Sequence, residues 1–98
     1  MPETARVLAF TPRFRRSLKR YAGQDTRRQE CVAQTLSRMA TNVFDPRLQT
    51  HGLTGSLKGC FASSCGYDCR IVFQFSTNPE AATEEIVLLD VGTHDSVY

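Results

Sequence analysis

CRIVFQFSTNPEAATEEIVLLDV (69–91) reads as two strands joined by a polar loop. CRIVFQF (69–75) alternates or runs apolar with β-branched and aromatic residues. STNPEAAT (76–83) carries Asn-Pro, a turn signal, and EEIVLLDV (84–91) resumes the apolar run. Just upstream, CFASS (60–64) supplies another strand and GYD (66–68) a turn. Three successive strands with short connections make an antiparallel meander. Its apolar face must be covered.

The first half of the chain supplies the cover. RVLAF (6–10) is a short apolar run that reads as a strand. Thr11-Pro12 is an N-cap followed by proline at the first helical position, a recognised start signal. Phe14, Leu18 and Tyr21 follow at i, i+4, i+7, one apolar stripe, and Gly23 ends the helix. Asp25 caps a second helix with Val32, Leu36, Met39 and Val43 on one stripe. That helix is expected to stop before Asp45-Pro46, because the residue preceding proline disfavours the helical region. THGLTGSLKG (50–59) is rich in turn residues. The order β-α-α-β-β-β gives an α+β fold, one domain over residues 1–98, with a helical hairpin packed on an antiparallel sheet.

Ninety-eight residues with 41% hydrophobic and 22% charged side chains suit one globular core. No apolar stretch approaches the roughly 18 residues that span a bilayer, so no membrane role is expected. MPETARVLAF has an early acid and few apolar residues, unlike a signal peptide, and the expected compartment is the cytoplasm. Residues 1–50 hold ten Lys/Arg against four Asp/Glu, and residues 51–98 hold two against six. PRFRRSLKR (12–20) concentrates the positive charge. Arg13, Arg16, Lys19 and Arg20 lie largely off the apolar stripe, either as a solvated helix face or as a surface for a polyanion such as RNA. Cys31, Cys60, Cys65 and Cys69 fit no standard zinc spacing and lack paired C-x-x-C knuckles. They read as small apolar residues, with no metal and no cofactor expected.

In a meander, antiparallel pairing brings residues 68–70 alongside roughly 91–94. Asp68 and Arg70 then meet His94, with His51 entering from the loop before CFASS. Cleavage of RNA by its own 2′-hydroxyl needs a base, an acid and positive charge at the phosphate. Histidine suits the proton transfers because its ordinary pKa lies near neutrality. Arginine suits the phosphoryl oxygens through its permanent charge and planar fork. Tyr98 offers a face on which an unstacked base can lie. Each residue also has a plain structural alternative: His51 bonding its own loop, His94 an ordinary turn residue, Arg70 paired with an acid, Tyr98 plugging the core.

AFTPRFRRSLKR (9–20), HGLTGSLKG (51–59), DCRIVFQF (68–75) and VGTHDSVY (91–98) together resemble the RelE/ParE superfamily of bacterial type II toxins, and within it the YafQ-like mRNA interferases. The resemblance covers nearly the whole chain. It implies ribosome-dependent, metal-free cleavage of mRNA in the cytoplasm. It also implies a cognate antitoxin encoded by an adjacent gene, through which alone the toxin reaches operator DNA. By position His51, Asp68, His94 and Tyr98 match the family's catalytic residues, Arg70 its strand arginine, and Lys58 a basic RNA-binding residue. Ser64 stands where such enzymes tend to have a further histidine. Asp90 stands where they often have a basic residue, and Cys60 and Cys69 where large aromatics are frequent. Two alternatives stay open: a ParE-like toxin that poisons gyrase, and a degenerate toxin kept for antitoxin binding and operator repression.

If Arg13, Arg16, Lys19 and Arg20 contact RNA phosphates, replacing all four with neutral residues lowers affinity. It also flattens the log–log salt dependence by about 0.7 per lost contact. Fluorescence anisotropy across a salt series measures both. Unchanged affinity and slope would make the cluster a solvated face.

Overall fold

β1 (Val7–Phe10) leads directly into α1 (Pro12–Ala22), and a short link connects that helix to α2 (Thr26–Thr41). The computed structural model describes residues 6–66, 68–80 and 83–93. A 3-10 turn at Pro46–Leu48 precedes β2 (His51–Gly52), and a second at Gly55–Leu57 precedes β3 (Phe61–Cys65). β4 (Cys69–Asn78) and β5 (Thr83–Thr93) complete a five-stranded sheet in the order β1-β5-β4-β3-β2.

Both helix starts follow local chemistry. Thr11 accepts a hydrogen bond from the Phe14 amide at 3.1 Å, and Asp25 accepts one from the Arg28 amide at 3.2 Å. These occupy donors that a helix N-terminus otherwise leaves open. Thr11 also donates its hydroxyl to the Leu88 carbonyl at 2.6 Å, which pins the start of α1 to β5. After α1, Gly23 takes φ +45°, a left-handed value that favours glycine.

The core lies between the helices and one face of the sheet. Phe14, Val32, Leu36 and Met39 from the helices meet Cys65, Cys69, Ile71, Phe73, Ile86, Leu88 and Val91 from the strands. Fully burying a side chain such as Phe14 or Phe73 contributes roughly 1.5–3 kcal/mol. On the opposite face a smaller cluster joins Cys60 and Val72 to Leu53, Leu57 and Leu89. The loop after β2 thereby folds back over the outer surface.

The structure alters three sequence expectations. The sheet is mixed: β1 runs parallel to β5, with Val7 opposite Glu85 and Phe10 opposite Leu88. No hairpin joins these strands, so nothing local imposes the antiparallel sense. His51 and Gly52, expected within a turn-rich segment, form an edge strand antiparallel to Ala62 and Phe61. α2 ends at Thr41, where the Asn42 amide bonds the Arg38 carbonyl, and Val43 reaches the core from the following turn. The α1 stripe keeps its place: Phe14 is buried, Leu18 and Tyr21 pack half-buried against the core, and Ser17 and Ala22 are buried on the flanks.

Thr11→Ala removes the cap and leaves the Leu88 carbonyl without that donor. The expected cost is about 1–2 kcal/mol in urea unfolding, with Thr11→Ser recovering most of it.

Candidate functional site

β4 alternates across the sheet, and its pairing decides which side chains share a face. Cys69, Ile71, Phe73 and Phe75 turn toward the helices, leaving Arg70 and Val72 on the outer face. Arg70 is opposite Ser64 on β3 and Gly92 on β5. Gly92 has no side chain, so none stands beside the guanidinium at that register position. Arg70 Nη1 donates to the Cys69 carbonyl at 2.9 Å, which holds the base of the fork. Cys69 pairs with Thr93, so β5 ends beside the start of β4, as the meander register requires.

His51 reaches the same face through the row His51–Ala62–Val72. Strand spacing and rise put its Cα about 12 Å from that of Arg70. That is too far for a direct bond, but one substrate laid across the outer face can touch both. The Asp45 carboxylate accepts from the Arg47 amide at 2.9 Å and pairs with its guanidinium at 2.7 Å, forming the Pro46–Leu48 turn. Leu48 is buried, and Gln49 takes a left-handed φ of 50° that redirects the chain into β2. Thr50 donates to the Val43 carbonyl at 2.6 Å; having spent its proton there, it accepts from the buried Ser63 hydroxyl at 2.7 Å.

These contacts orient the imidazole. His51 Nδ1 lies 2.9 Å from the Gln49 carbonyl, which only accepts, so Nδ1 carries the proton. Neutral His51 then keeps Nε2 as its free acceptor. Gln49 also accepts the Ser64 hydroxyl through Oε1 at 3.1 Å. Its role had no sequence signal, because glutamine has no preference for the left-handed region and is distant from Ser64 along the chain.

Lys58 is exposed just after the Gly55–Leu57 turn, and Asp68 is exposed in the turn between β3 and β4. His94 and Tyr98 lie outside the described residues, so the expected grouping is described for His51, Asp68 and Arg70 only. The basic cluster on α1 is divided. Arg13 Nη2 bonds Asp90 Oδ2 at 3.2 Å, Arg20 Nη2 bonds Ser17 Oγ at 3.4 Å, and Arg16 and Lys19 are exposed. Asp90 is only 8% exposed and also accepts the Val91 amide at 2.9 Å. The acid at this position therefore carries its own counter-charge from α1. On the helix side, Phe10, Leu18, Ala22, Val32 and Leu36 line an apolar groove of about 530 Å³ rimmed by Arg15 and Lys19. It lies on the face opposite His51 and Arg70. Among the described residues no group of three or more His, Cys, Asp or Glu is arranged to hold a metal ion.

No family model matches the chain, and no curated protein sequence matches it. Solved structures do. YafQ from E. coli superposes with a TM-score of 0.75 at 14% identity, over 95% of this chain and 98% of that one. The YoeB/ParE toxin from Agrobacterium tumefaciens gives 0.72 at 15% identity, over 90% and 98%. The E. coli DinJ-YafQ toxin-antitoxin complex gives 0.69 at 14% identity, over 96% and 98%. The fold is therefore that of the YafQ and YoeB/ParE toxins: two helices on a five-stranded, mostly antiparallel sheet.

Hydrogen bonds from Arg47 lower the Asp45 carboxyl from its ordinary 3.8 to about 2. A depressed carboxyl adds stability above its unfolded pKa and loses it as pH falls through the folded value. The stability advantage of the wild type over Asp45→Asn is thus expected to be full above about pH 4 and to vanish near pH 2. Parallel urea titrations of the two proteins measure it.

Proposed function

We propose that this chain is the toxin of a type II toxin–antitoxin system and an endoribonuclease that cuts mRNA on the ribosome. The observation that carries this reading is the placement of Arg70 on the outer face, between Ser64 and the bare Gly92, with His51 on the same face presenting a free Nε2. The likeness of fold to toxins, two of them in the structures named above, supports the same reading.

In this mechanism one imidazole takes the 2′-hydroxyl proton and another protonates the leaving 5′-oxygen, with His94 and His51 filling these roles. Arg70 holds the phosphate, whose extra charge grows in the transition state. Lys58 adds charge near the RNA backbone, Asp68 orients or balances an imidazole, and Tyr98 stacks a base. The reaction so written requires proton transfer and charge stabilisation from side chains alone, without a cofactor. The working compartment is the cytoplasm, where mRNA and ribosomes are found. A cognate antitoxin would block the toxin and carry any contact with operator DNA. The apolar groove between α1 and α2, with its cationic rim, suits an amphipathic acidic segment of such a partner.

A second reading is favoured by two particular contacts. Ser64 replaces a potential imidazole and is tied to Gln49, and Asp90 neutralises Arg13. Fewer cations and proton-transfer groups at the site suit a degenerate toxin retained for antitoxin binding.

Inducible expression with mapping of mRNA 5′ ends separates the readings. His94→Ala is expected to reduce cleavage by about 10²–10⁴-fold at matched soluble levels. Arg70→Lys is also costly, because an ammonium cannot reproduce the bidentate fork. Deleting Tyr98 costs roughly 1–3 kcal/mol of base stacking while leaving antitoxin binding intact. Full toxicity in His94→Ala would point instead to poisoning by binding, as in the gyrase-directed alternative. No new 5′ ends with wild type would favour the degenerate toxin.

A further inference from the structure

Three of the four cysteines gather on the helix side of the sheet, although they are far apart in sequence. Cys65 ends β3 and Cys69 begins β4, and the two are directly paired across the intervening turn. Cys31, on α2, brings its Sγ to 3.4 Å from that of Cys65. The turn itself allows this approach: a Cβ added at Gly66 would meet Cys31 Sγ at 3.2 Å, and Gly66 sits at φ +76°. Cys60 lies in the separate cluster on the outer face.

We propose that Cys31 and Cys65 form an oxidative modification site, closing to a disulfide that staples α2 to the end of β3. All four cysteines are free thiols in the structure. The two sulfurs need to approach by about 1.4 Å to reach the bonded distance of roughly 2.05 Å. Cys31 is half-buried, whereas Cys65 and Cys69 are 2% and 1% exposed, so an oxidant meets Cys31 first. With a peroxide as oxidant, Cys31 sulfur attacks the O–O bond, becomes a sulfenic acid and releases water. Cys65 sulfur then attacks the sulfenyl sulfur, the S–O bond breaks, and the departing hydroxide takes the thiol proton as a second water. Two thiols and one hydrogen peroxide yield one disulfide and two waters.

The surroundings set the rate and the partner. Burial, and then the contact with Cys65, push the Cys31 thiol above its ordinary range, so its thiolate is scarce and the first step is slow. Cys65 is pushed up as well, first by its hydrogen bond to Cys69 and then by burial. Cys69 is drawn down, first by the Cys65 hydrogen bond and then by that from Tyr21. The partner is set by distance: Cys65 Sγ lies 3.4 Å from Cys31 Sγ, within reach of the oxidised sulfur. The segment the link would close, residues 31–65, contains His51 and Lys58. The staple therefore constrains the outer-face loop whether or not the protein cleaves RNA.

The test uses the folded full chain treated with excess hydrogen peroxide, alkylated without reduction and digested with trypsin. Cleavage at Arg28, Arg38, Lys58 and Arg70 separates Cys31 from a peptide carrying Cys60, Cys65 and Cys69. The expected result is loss of two of the four alkylatable thiols, a dithiothreitol-reversible linked peptide pair, and fragment ions placing the bond at Cys65. Cys60→Ser and Cys69→Ser should keep the link, and Cys31→Ser should abolish it. Wild-type protein that keeps four free thiols, stops at a sulfinic acid on Cys31, or links Cys65 to Cys69 would overturn the proposal. Wild-type mapping decides it even if a variant fails to fold.

Discussion

The antiparallel pairing of β4 with β5 is the constraint on which the rest of this structure depends. It runs from Cys69 opposite Thr93 to Asn78 opposite Thr83, interrupted by one irregularity between Val72 and Phe73. Because side chains alternate along a strand, this register assigns Ile71 and Phe73 to the core and Arg70 to the outer face. A one-residue slip would bury the guanidinium and expose the phenyl rings. Everything attached to the pair inherits its placement: β1 on the free edge of β5, β3 on the free edge of β4, and Thr93 beside the start of β4.

The two faces divide the chemistry between them. The helix side holds the apolar core and three of the four thiols under α1 and α2, with Cys31 and Cys65 pushed above their ordinary range. The outer side carries the oriented imidazole of His51, the fork of Arg70 and the hydroxyl of Ser64. A proton-transfer or phosphate-binding group needs solvent or substrate within reach, and only the outer side supplies it. The short connections around β2 do the positioning. Asp45 builds a turn, Gln49 reverses the chain in the left-handed region, and Thr50 anchors the return to Ser63. Each step is a local hydrogen bond. Together they deliver one histidine to a sheet edge.

Positive charge follows the same logic of competing partners. The run 12–20 is dense in arginine, but the folded chain uses Arg13 to neutralise the nearly buried Asp90. A carboxylate that is out of water requires a partner, and an arginine at the first turn of α1 is the cation within reach. The pair therefore links the start of α1 to β5, alongside the Thr11 hydroxyl on the Leu88 carbonyl. Arg15 stacks over Phe10 and, with Lys19, rims the helix-side groove, and Arg16 is exposed beside them.

The sequence by itself determined the elements that rest on local chemistry. Thr11-Pro12 and Asp25 marked the helix starts, Val32, Leu36 and Met39 the buried stripe, and 69–91 the hairpin whose register carries Arg70 to the outer face. These signals are written within a few residues, so they survive without a partner. Tertiary structure alone decided the features that join distant segments. β1 runs parallel to β5 because no hairpin joins the two, and the helices and strands between them leave strand sense to packing. His51 became a strand residue because Phe61 and Ala62 offered an open edge, and two residues hold no periodicity to read. The Arg13–Asp90 pair, the bonds of Gln49 to His51 and Ser64, and the approach of Cys31 to Cys65 likewise lack any sequence spacing that encodes them. They exist because compaction forces polar groups and thiols that leave water to find partners wherever the fold brings them.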